Sequence, residues 1–462
     1  MTSAGDVRRT SPLIDERGLR AVARIAQHPC APRWNRVAGD RLERDDVRAV
    51  EAFRDALTRD RVPFGPEPPE AIRAWVLARR ALVPSFRARL ADASLVERAW
   101  GSIATTSRED LAMRPETLVP DDAPLDRMIV YRTAGTTGHA LLVPHDARAA
   151  ACYLPLLEVA LARWGVDARL GGGDVAMLVG AQARTVTYAT ALAVWDHAGF
   201  AKLNLARSEW PGEDAPARFF ADLAPALLTG DPTSFAELLA RGVGARPRAL
   251  VTTAVAMSDA LRARLAQHFD APVVDWYSLT ETGPIGYACP RGEGAYHVVS
   301  SDLFVESVDP EGLPVGPGKR GEIAVTGGRN PFLPLLRYRT GDWGRIDLAP
   351  CACGDPMPRI VELEGRAPVV FRSARGDGVN PVDVSGVLRA YPIVQHELVQ
   401  RADLSCELAI RAMSGVPVDL AALRAELRGL FGEVPVVVRV DPSLGDRTGK
   451  IAPYRSELLF EE

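Results

Sequence analysis

A hydroxyl beside a carboxylate at the end of a buried strand can hold a phosphate oxygen and its metal at once. The stretch Asp275-Trp-Tyr-Ser-Leu-Thr-Glu-Thr-Gly283 offers that pair. The approach to it, Ala271-Pro-Val-Val274, is β-branched and apolar, the pattern of a short buried strand, and Gly283-Pro284 breaks the run as a turn. Open α/β sheets place ligands at such strand ends. Thr280 is expected to donate to a phosphate oxygen. Glu281 is expected to hold Mg2+, which takes one or two carboxylates beside substrate phosphates. The alternative is a capping Thr-Glu pair at a helix start.

Two further stretches carry related chemistry. Thr133-Ala-Gly-Thr-Thr-Gly138 follows the apolar run Met128-Ile-Val-Tyr131. Its glycines let backbone approach a phosphate closely, and its N–H groups and hydroxyls supply donors. It lacks the spacing and the Lys of a P-loop. Tyr338-Arg-Thr-Gly-Asp342 ends another apolar segment, and a loop Asp there can hold ribose hydroxyls. Together, in this order, the three stretches resemble the adenylate-forming superfamily of acyl-CoA synthetases, adenylation domains and luciferases. Within it they resemble the phenylacetate–coenzyme A ligase branch. That resemblance runs over residues 100 to 455 and also rests on Gly321-Glu-Ile323, Cys351-Ala-Cys-Gly354, Gly365-Arg366, Arg375-Gly376 with Pro381, and Thr448-Gly-Lys450.

The resemblance implies an AMP-forming ligase that turns ATP and a small, aromatic carboxylic acid into an acyl-adenylate and passes the acyl group to coenzyme A. Thr133, Gly135, Thr136, Thr137 and Gly138 would cover the triphosphate. Ala254, in Thr252-Thr-Ala-Val-Ala256, would face adenine, with Tyr277 and Ser278 completing the nucleotide-binding set. Thr280 would meet the α-phosphate, Glu281 the Mg2+, Asp342 the ribose, and Arg366 ribose and phosphate. Lys450 would bridge the carboxylate and the α-phosphate; the chain has three lysines, the others being Lys202 and Lys319. A compact ammonium on a flexible stem suits that task. Tyr188, Trp195, Trp276 and Tyr277 would favour a flat ring in the pocket, though aromatics serve as often in a core. Other readings keep adenylation but transfer to a carrier protein or an amine, activate another oxyanion, or leave a nucleotide-binding homologue without catalysis. The sequence departs from the family at His139, where a Lys is usual, at Ser385, where a Glu is usual, and at Pro368, which replaces a hinge Asp and fixes φ.

A second metal is also indicated. Cys351 and Cys353 share a tight loop, while Cys289 and His297 flank the turn Pro290-Arg-Gly-Glu-Gly294. Cys3His is a common structural zinc set, and four filled positions leave none for water. The alternatives are small buried thiols or an exposed redox pair, neither of which calls for the His. The phenylacetate–coenzyme A ligase branch is similar here too. The ion would staple the loop leaving Glu281 to the loop leaving Asp342.

These groups need a frame. Strand-like runs at Met128–Tyr131, Val175–Val179, Leu227-Leu228, Ala249–Thr253 and Val273–Trp276 alternate with helical stretches at 147–164, 189–197, 219–224, 234–239 and 258–268. That alternation predicts an α/β fold with mostly parallel sheets flanked by helices. A helical lead-in is expected over 1–113 and a small β subdomain of hairpins over 298–346, both within an N-terminal domain of 1–365. A small, mobile α+β C-terminal lid is expected over 366–462. With 462 residues the chain can bury large cores, and 47% hydrophobic with 25% charged residues is ordinary for a globular protein. A net charge of −4 gives no basic field for nucleic acid. No run reaches the ~18 apolar residues of a membrane span, and the N-terminus lacks the apolar core of a signal peptide. Six cysteines in so long a chain do not suggest a disulfide framework. A cytoplasmic enzyme with reduced thiols is expected; its oligomeric state is not legible.

Overall fold

The computed structural model describes residues 4–59, 61–132, 141–181, 185–253, 257–292, 294–316, 318–364, 371–376, 378–379, 381–446 and 453–458. Contacts divide the chain into two units. The first takes in the described residues within Met1–Asp40, Arg169–Asp275 and Pro368–Glu462; the second, those within Arg41–Ala168 and Trp276–Ala367. The chain passes between units inside the strand Val273–Leu279.

In the first unit, strands follow the spatial order Val273 onward, Ala249–Thr252, Leu227–Gly230, Val175–Gly180, Ala198–Asn204, Tyr188–Leu192. All neighbours are parallel except the last pair. The strands read as apolar runs because both faces of such a sheet are covered. Helices Ala215–Leu223, Pro232–Ala240 and Asp259–Phe269 bury Phe219, Phe220, Leu238, Leu261 and Leu265 against Met177, Leu203, Leu228 and Leu250. Two of these helices begin where side chains satisfy free backbone donors: Asp231 accepts from the Ser234 N–H and Ser258 from the Leu261 N–H.

One predicted helix is wrong. Residues 189–197 form the strand Tyr188–Leu192 and a 3-10 turn, Ala193–Trp195. Asp196 and His197 then turn the chain in left-handed conformation, with φ of 45° and 60°. The strand Ala198–Asn204 returns antiparallel beside it. The apolar spacing suits either structure, and cross-strand pairing decides it. The expected α+β character of the C-terminal residues holds. Val436–Val440, Cys406–Ala412, Ile393–Gln400 and Tyr454–Ser456 make a four-stranded sheet. Helices Pro381–Arg389 and Leu420–Phe431 accompany it, and Leu423, Leu427 and Phe431 pack with Leu398 and Leu408.

The second unit is an antiparallel meander. The end of Val273–Leu279 pairs with Gly283–Ala288, followed in space by Tyr296–Val298, Arg359–Glu364, Leu335–Asp347, Arg320–Gly327 and Leu303–Val308. The strands expected between 298 and 346 thus lie in the same sheet as the hairpin that carries Glu281, separated from it by Tyr296–Val298 and Arg359–Glu364. The strand bearing Asp342 does not end there, as the sequence suggested; it continues to Asp347, paired on both sides. Phe304, Val305, Ile323, Val325 and Ile360 pack with Val76, Phe86 and Trp100 from the helical lead-in. Among the described residues no helix is long and apolar enough to cross a membrane.

Arg337 lies at the centre of this unit, fully buried and with φ of 49°. Its Nε and one Nη donate to the Glu306 carboxylate at 3.0 and 3.2 Å. The remaining N–H groups go to the carbonyls of Gly101 and Gly312, at 2.9 and 2.8 Å, and of Ile103. Trp100 donates its indole N–H to Glu306 at 3.1 Å. Removing one partner of a buried ion pair strands the other charge. Arg337→Met is expected to cost about 3–5 kcal/mol in denaturant unfolding, and the double variant Arg337→Met with Glu306→Gln should recover part of that loss.

Candidate active site

The hairpin Val273–Leu279 to Gly283–Ala288 turns through Thr280–Thr282. Gly283 has φ of +68°, and a Cβ there would sit 2.8 Å from the ring and hydroxyl of Tyr153. Only glycine fits both the backbone and the space. Burial pushes the Tyr153 hydroxyl well above the usual phenol range, and that hydroxyl is hydrogen-bonded to His145 Nε2 at 2.9 Å. The ring is thus held as a fixed wall under the turn.

The turn separates its two polar residues. Thr280 is exposed at the tip, whereas Glu281 is buried, at 2% exposure. One Glu281 oxygen accepts from Arg108 Nη1 at 2.9 Å and from the Tyr338 hydroxyl at 3.0 Å. Arg108 opens the helix Arg108–Met113, which starts with a reciprocal Ser107–Asp110 capping box. The residue before that cap, Thr106, bridges to Tyr338: its N–H donates to the Arg337 carbonyl at 3.0 Å, and its carbonyl accepts from Arg339 at 2.7 Å. Arg108 and Tyr338 therefore reach the same carboxylate from backbone that is tied together. Burial, reinforced by the Glu281 charge, holds the Tyr338 hydroxyl far above the usual phenol range, so it remains a donor.

Asp342 is also buried, and the Tyr277 hydroxyl donates to its Oδ2 at 2.8 Å. Burial first and the Asp342 charge second keep Tyr277 protonated. Ser278 lies half-buried at the register shift of the same hairpin. The structure thus brings Tyr277, Ser278, Thr280, Glu281 and Asp342 into one unit. Thr133, Gly135, Thr136, Thr137, Gly138, Ala254, Arg366 and Lys450 lie outside the described residues, as do His139 and Pro368. Of the aromatics expected along a pocket, Trp195 is core at 2% exposure, and Tyr188 is half-buried against Phe200 with ring centroids 6.1 Å apart. Arg108 was missed in the sequence, because one more Arg in an Arg-rich chain carries no signal of its own.

The Cys–His group converges as expected. Cys289 follows the strand Gly283–Ala288, His297 lies in Tyr296–Val298, and Cys351 and Cys353 precede Arg359–Glu364. The four ligand atoms lie within 4.8 Å of one another. Cys289 and Cys351 sulfurs are 3.5 Å apart, and Cys353 Sγ is 3.2 Å from His297 Nε2. Tetrahedral zinc with Zn–S near 2.3 Å sets ligand atoms about 3.8 Å apart, so the donors fit the ion with little adjustment. Their surroundings fit as well. His297 Nδ1 bonds the Met357 carbonyl at 3.0 Å, which aims Nε2 at the thiols. Backbone N–H groups of Arg291 and Asp355 point at the sulfurs of Cys289 and Cys353, each at 3.4 Å. Burial lowers the His297 pKa and leaves the ring neutral, as a ligand must be. Burial also pushes the Cys289 thiol up to about 12; a central cation supplies the charge that lets such a thiol bind as thiolate.

Beneath the cluster, Asp355 takes both oxygens to Arg61 Nη2, at 2.8 and 2.7 Å, and accepts from the Tyr287 hydroxyl. The Tyr287 ring stacks on His297 at 5.7 Å. Despite burial, Arg61 and Tyr287 keep the Asp355 carboxyl below its usual range.

The model of the family described as AMP-binding enzyme matches residues 79–330, more than half of the chain. The chain belongs to the AMP-binding enzyme family. Phenylacetate-coenzyme A ligase of Thermus thermophilus is 30% identical over 187 residues, 38% of this chain and 42% of that protein. Chalcone synthase cfoA of Aspergillus candidus is 25% identical over 240 residues, 46% of this chain and 8% of that protein. The chain thus matches less than half the length of each of these relatives. Among solved structures, a 2-hydroxyisobutyryl-CoA ligase in the postadenylation state with R3-HIB-AMP superposes with TM-score 0.60 at 16% identity, over 84% of this chain and 89% of that one. The anthranilate CoA ligase AuaEII with anthranoyl-AMP gives TM-score 0.50 at 18% identity, over 70% and 64%. At such identities these neighbours share the fold. Family model, relative and fold agree with the adenylate-forming, phenylacetate–coenzyme A ligase-like resemblance read from the motifs.

The Gly283 geometry carries a test of how the AMP-binding chain builds its hairpin tip. Gly283→Ala combines a left-handed Ala with a clash against a fixed ring, and is expected to cost about 1–3 kcal/mol. Urea unfolding measures it; an unaltered midpoint would mean that the turn does not rest on Tyr153.

Proposed function

We propose that this chain is an ATP-dependent, AMP-forming ligase that activates a small, aromatic carboxylic acid as its acyl-adenylate and passes the acyl group to coenzyme A. The observation that carries the reading is the division of labour at one turn. Thr280 is exposed, where a phosphate can reach its hydroxyl, and Glu281 next to it is a buried, oriented carboxylate. Asp342, held by Tyr277, stands in the same unit as the ribose ligand. The aromatic acid is supported by the two relatives whose names carry phenylacetate and anthranoyl-AMP.

In this reading Thr280 donates to the α-phosphate and Asp342 fixes the nucleoside through its ribose. Glu281 is the carboxylate that holds Mg2+, which supplies charge neutralisation on the phosphates when bound. Lys450 places its ammonium between the incoming carboxylate and the α-phosphate. Thr133, Gly135, Thr136, Thr137 and Gly138 cover the triphosphate, while Ala254 faces the adenine, Ser278 belongs to the nucleotide-binding set and Arg366 meets ribose and phosphate. The reaction needs in-line positioning and charge stabilisation more than proton transfer. Transfer to a carrier protein or an amine is the second reading; it is favoured by Pro368 at the family's hinge position.

Acid-dependent pyrophosphate release across a panel of acids tests the reaction, and product analysis with and without coenzyme A separates the two acceptors. Lys450→Ala is expected to lower acyl-adenylate formation by about 10²-fold or more, the scale for losing one group aimed at developing charge, with melting unchanged. Equal rates in this variant would remove Lys450 from the site.

The four donors Cys289, His297, Cys351 and Cys353 are assigned in the same reading to a structural Zn2+. It would staple the strand leaving Glu281 to the segment following Asp342's strand. Protein purified without chelator should hold about one zinc per chain, as one closed four-ligand site requires. Cys353→Ser should lower both zinc content and thermal stability, because metal binding couples to folding. Metal-free protein of full stability would end the assignment.

A further inference from the structure

Glu281 has been given to a divalent cation, yet in this structure it already has a cation. Arg108 Nη1 lies 2.9 Å from Glu281 Oε1, the carboxylate is 2% exposed, and the Arg108 side chain is 33% exposed. A buried carboxylate without a counter-charge is costly, and a guanidinium meets that cost at the expense of any second cation drawn to the same oxygen pair. The oxygen that Arg108 contacts also accepts from Tyr338, so both of its lone pairs are engaged.

We propose that Arg108 is a positioning residue, the resident counter-ion that aims Glu281 while the nucleotide site is empty, and that Mg2+ binds in competition with it. Three features make this an arrangement built for exchange. The Arg108 backbone is fixed: it opens a helix with a reciprocal capping box, two residues beyond the Thr106 bridge to the strand carrying Tyr338. Its side chain, unlike the carboxylate it holds, is one-third exposed, so a move away from Glu281 leads towards water. Tyr338 donates its hydroxyl to the same Glu281 oxygen at 3.0 Å from a strand that neither cation touches, and its contact needs no charge. Glu281 therefore keeps its orientation through the exchange. The Mg2+ demand of the enzyme is then set by Arg108 as well as by Glu281.

This inference rests on the assignment of Glu281 to Mg2+. Its test is the free Mg2+ that half-saturates ATP binding, measured calorimetrically at fixed pH and ionic strength on wild type, Arg108→Gln, Arg108→Met and Arg108→Lys. Tyr338→Phe serves as a control that removes a contact from the same oxygen without removing charge. Loss of the competing charge in Arg108→Gln and Arg108→Met is expected to lower the half-saturating Mg2+ by about fivefold or more, the low end for two ligands coupled through one site. Arg108→Lys, which keeps the charge, should stay within about twofold of wild type, and Tyr338→Phe should not fall. A purely structural Arg108 would lower the melting temperature and leave the half-saturating Mg2+ where it was; that result, or a rise in both neutral variants, overturns the proposal while wild-type Mg2+ dependence stands. Wild-type ATP binding indifferent to Mg2+ overturns the proposal and the assignment of Glu281 together.

Discussion

A guanidinium shut away from water needs an acceptor for every N–H, and Arg337 finds them in Glu306 and three backbone carbonyls. Those carbonyls belong to Gly101, Ile103 and Gly312, so the requirement draws a lead-in segment and a distant turn onto one strand. The rest of the second unit follows from that anchorage. Three residues past Ile103, Thr106 continues the strand pairing beside Arg337. Arg108 then starts its helix within reach of Glu281. Tyr338, next to Arg337 in the chain, points to the other side and reaches the same carboxylate. A left-handed Arg is an unusual backbone state that persists only where its surroundings over-determine it, and here three segments do so: the lead-in at 101–103, the strand of Glu306 and the turn at Gly312.

What the sequence showed about the site depended on how unusual each residue was for its setting. Thr280 with Glu281, and Tyr338 through Asp342, were legible because the chemistry demands those types side by side. The cluster of Cys289, His297, Cys351 and Cys353 was legible because these residue types are scarce in the chain. Arg108 was not, since its role comes from a helix cap and a bridge that bring it to Glu281 across the sequence. In the fold, the alternation of apolar runs gave four of the five expected parallel strands, whereas Met128–Tyr131 corresponds to Ile129–Arg132, which pairs antiparallel with Leu142–His145 in a two-stranded sheet of its own. The alternation failed at 189–197, where a nearly continuous apolar run fits a buried strand as well as a helix and the partner Ala198–Asn204 was not recognised. It also stopped the Asp342 strand too early, because Thr340-Gly-Asp342 reads as a turn until pairing on both sides is known.

The Cys–His group and the Glu281–Asp342 region share their strands. Gly283–Ala288 runs from the Glu281 turn to Cys289, and Leu335–Asp347 runs from Tyr338 through Asp342 towards Cys351. Glu281 thus precedes a strand whose far end leads to Cys289, and Asp342 lies within a strand whose far end leads towards Cys351. The Asp355–Arg61–Tyr287 contacts beneath it extend the same cross-linking to the lead-in, since Arg61 also donates to the Val299 carbonyl at 2.9 Å. A rigid base under two strands is one way to hold carboxylates still while their ligands change.

The first unit is assembled from three stretches of chain, with the whole of the second unit interposed in two pieces. A ribosome delivers these stretches in order. The helix Glu16–Ala26 emerges long before the strands it packs against, and Val394 and Met413, which complete the same core, emerge last. Domains form during synthesis as their residues become available, and long loops must close before distant contacts reward them. The unit with the parallel strands therefore cannot finish until residues as late as Met413 have been made, whereas the meander can close once Glu364 is out. Until Met413 is made, the core that Met177, Leu203, Leu228 and Leu250 share with Val394 and Met413 stays incomplete, so apolar surface stays open to water while synthesis goes on.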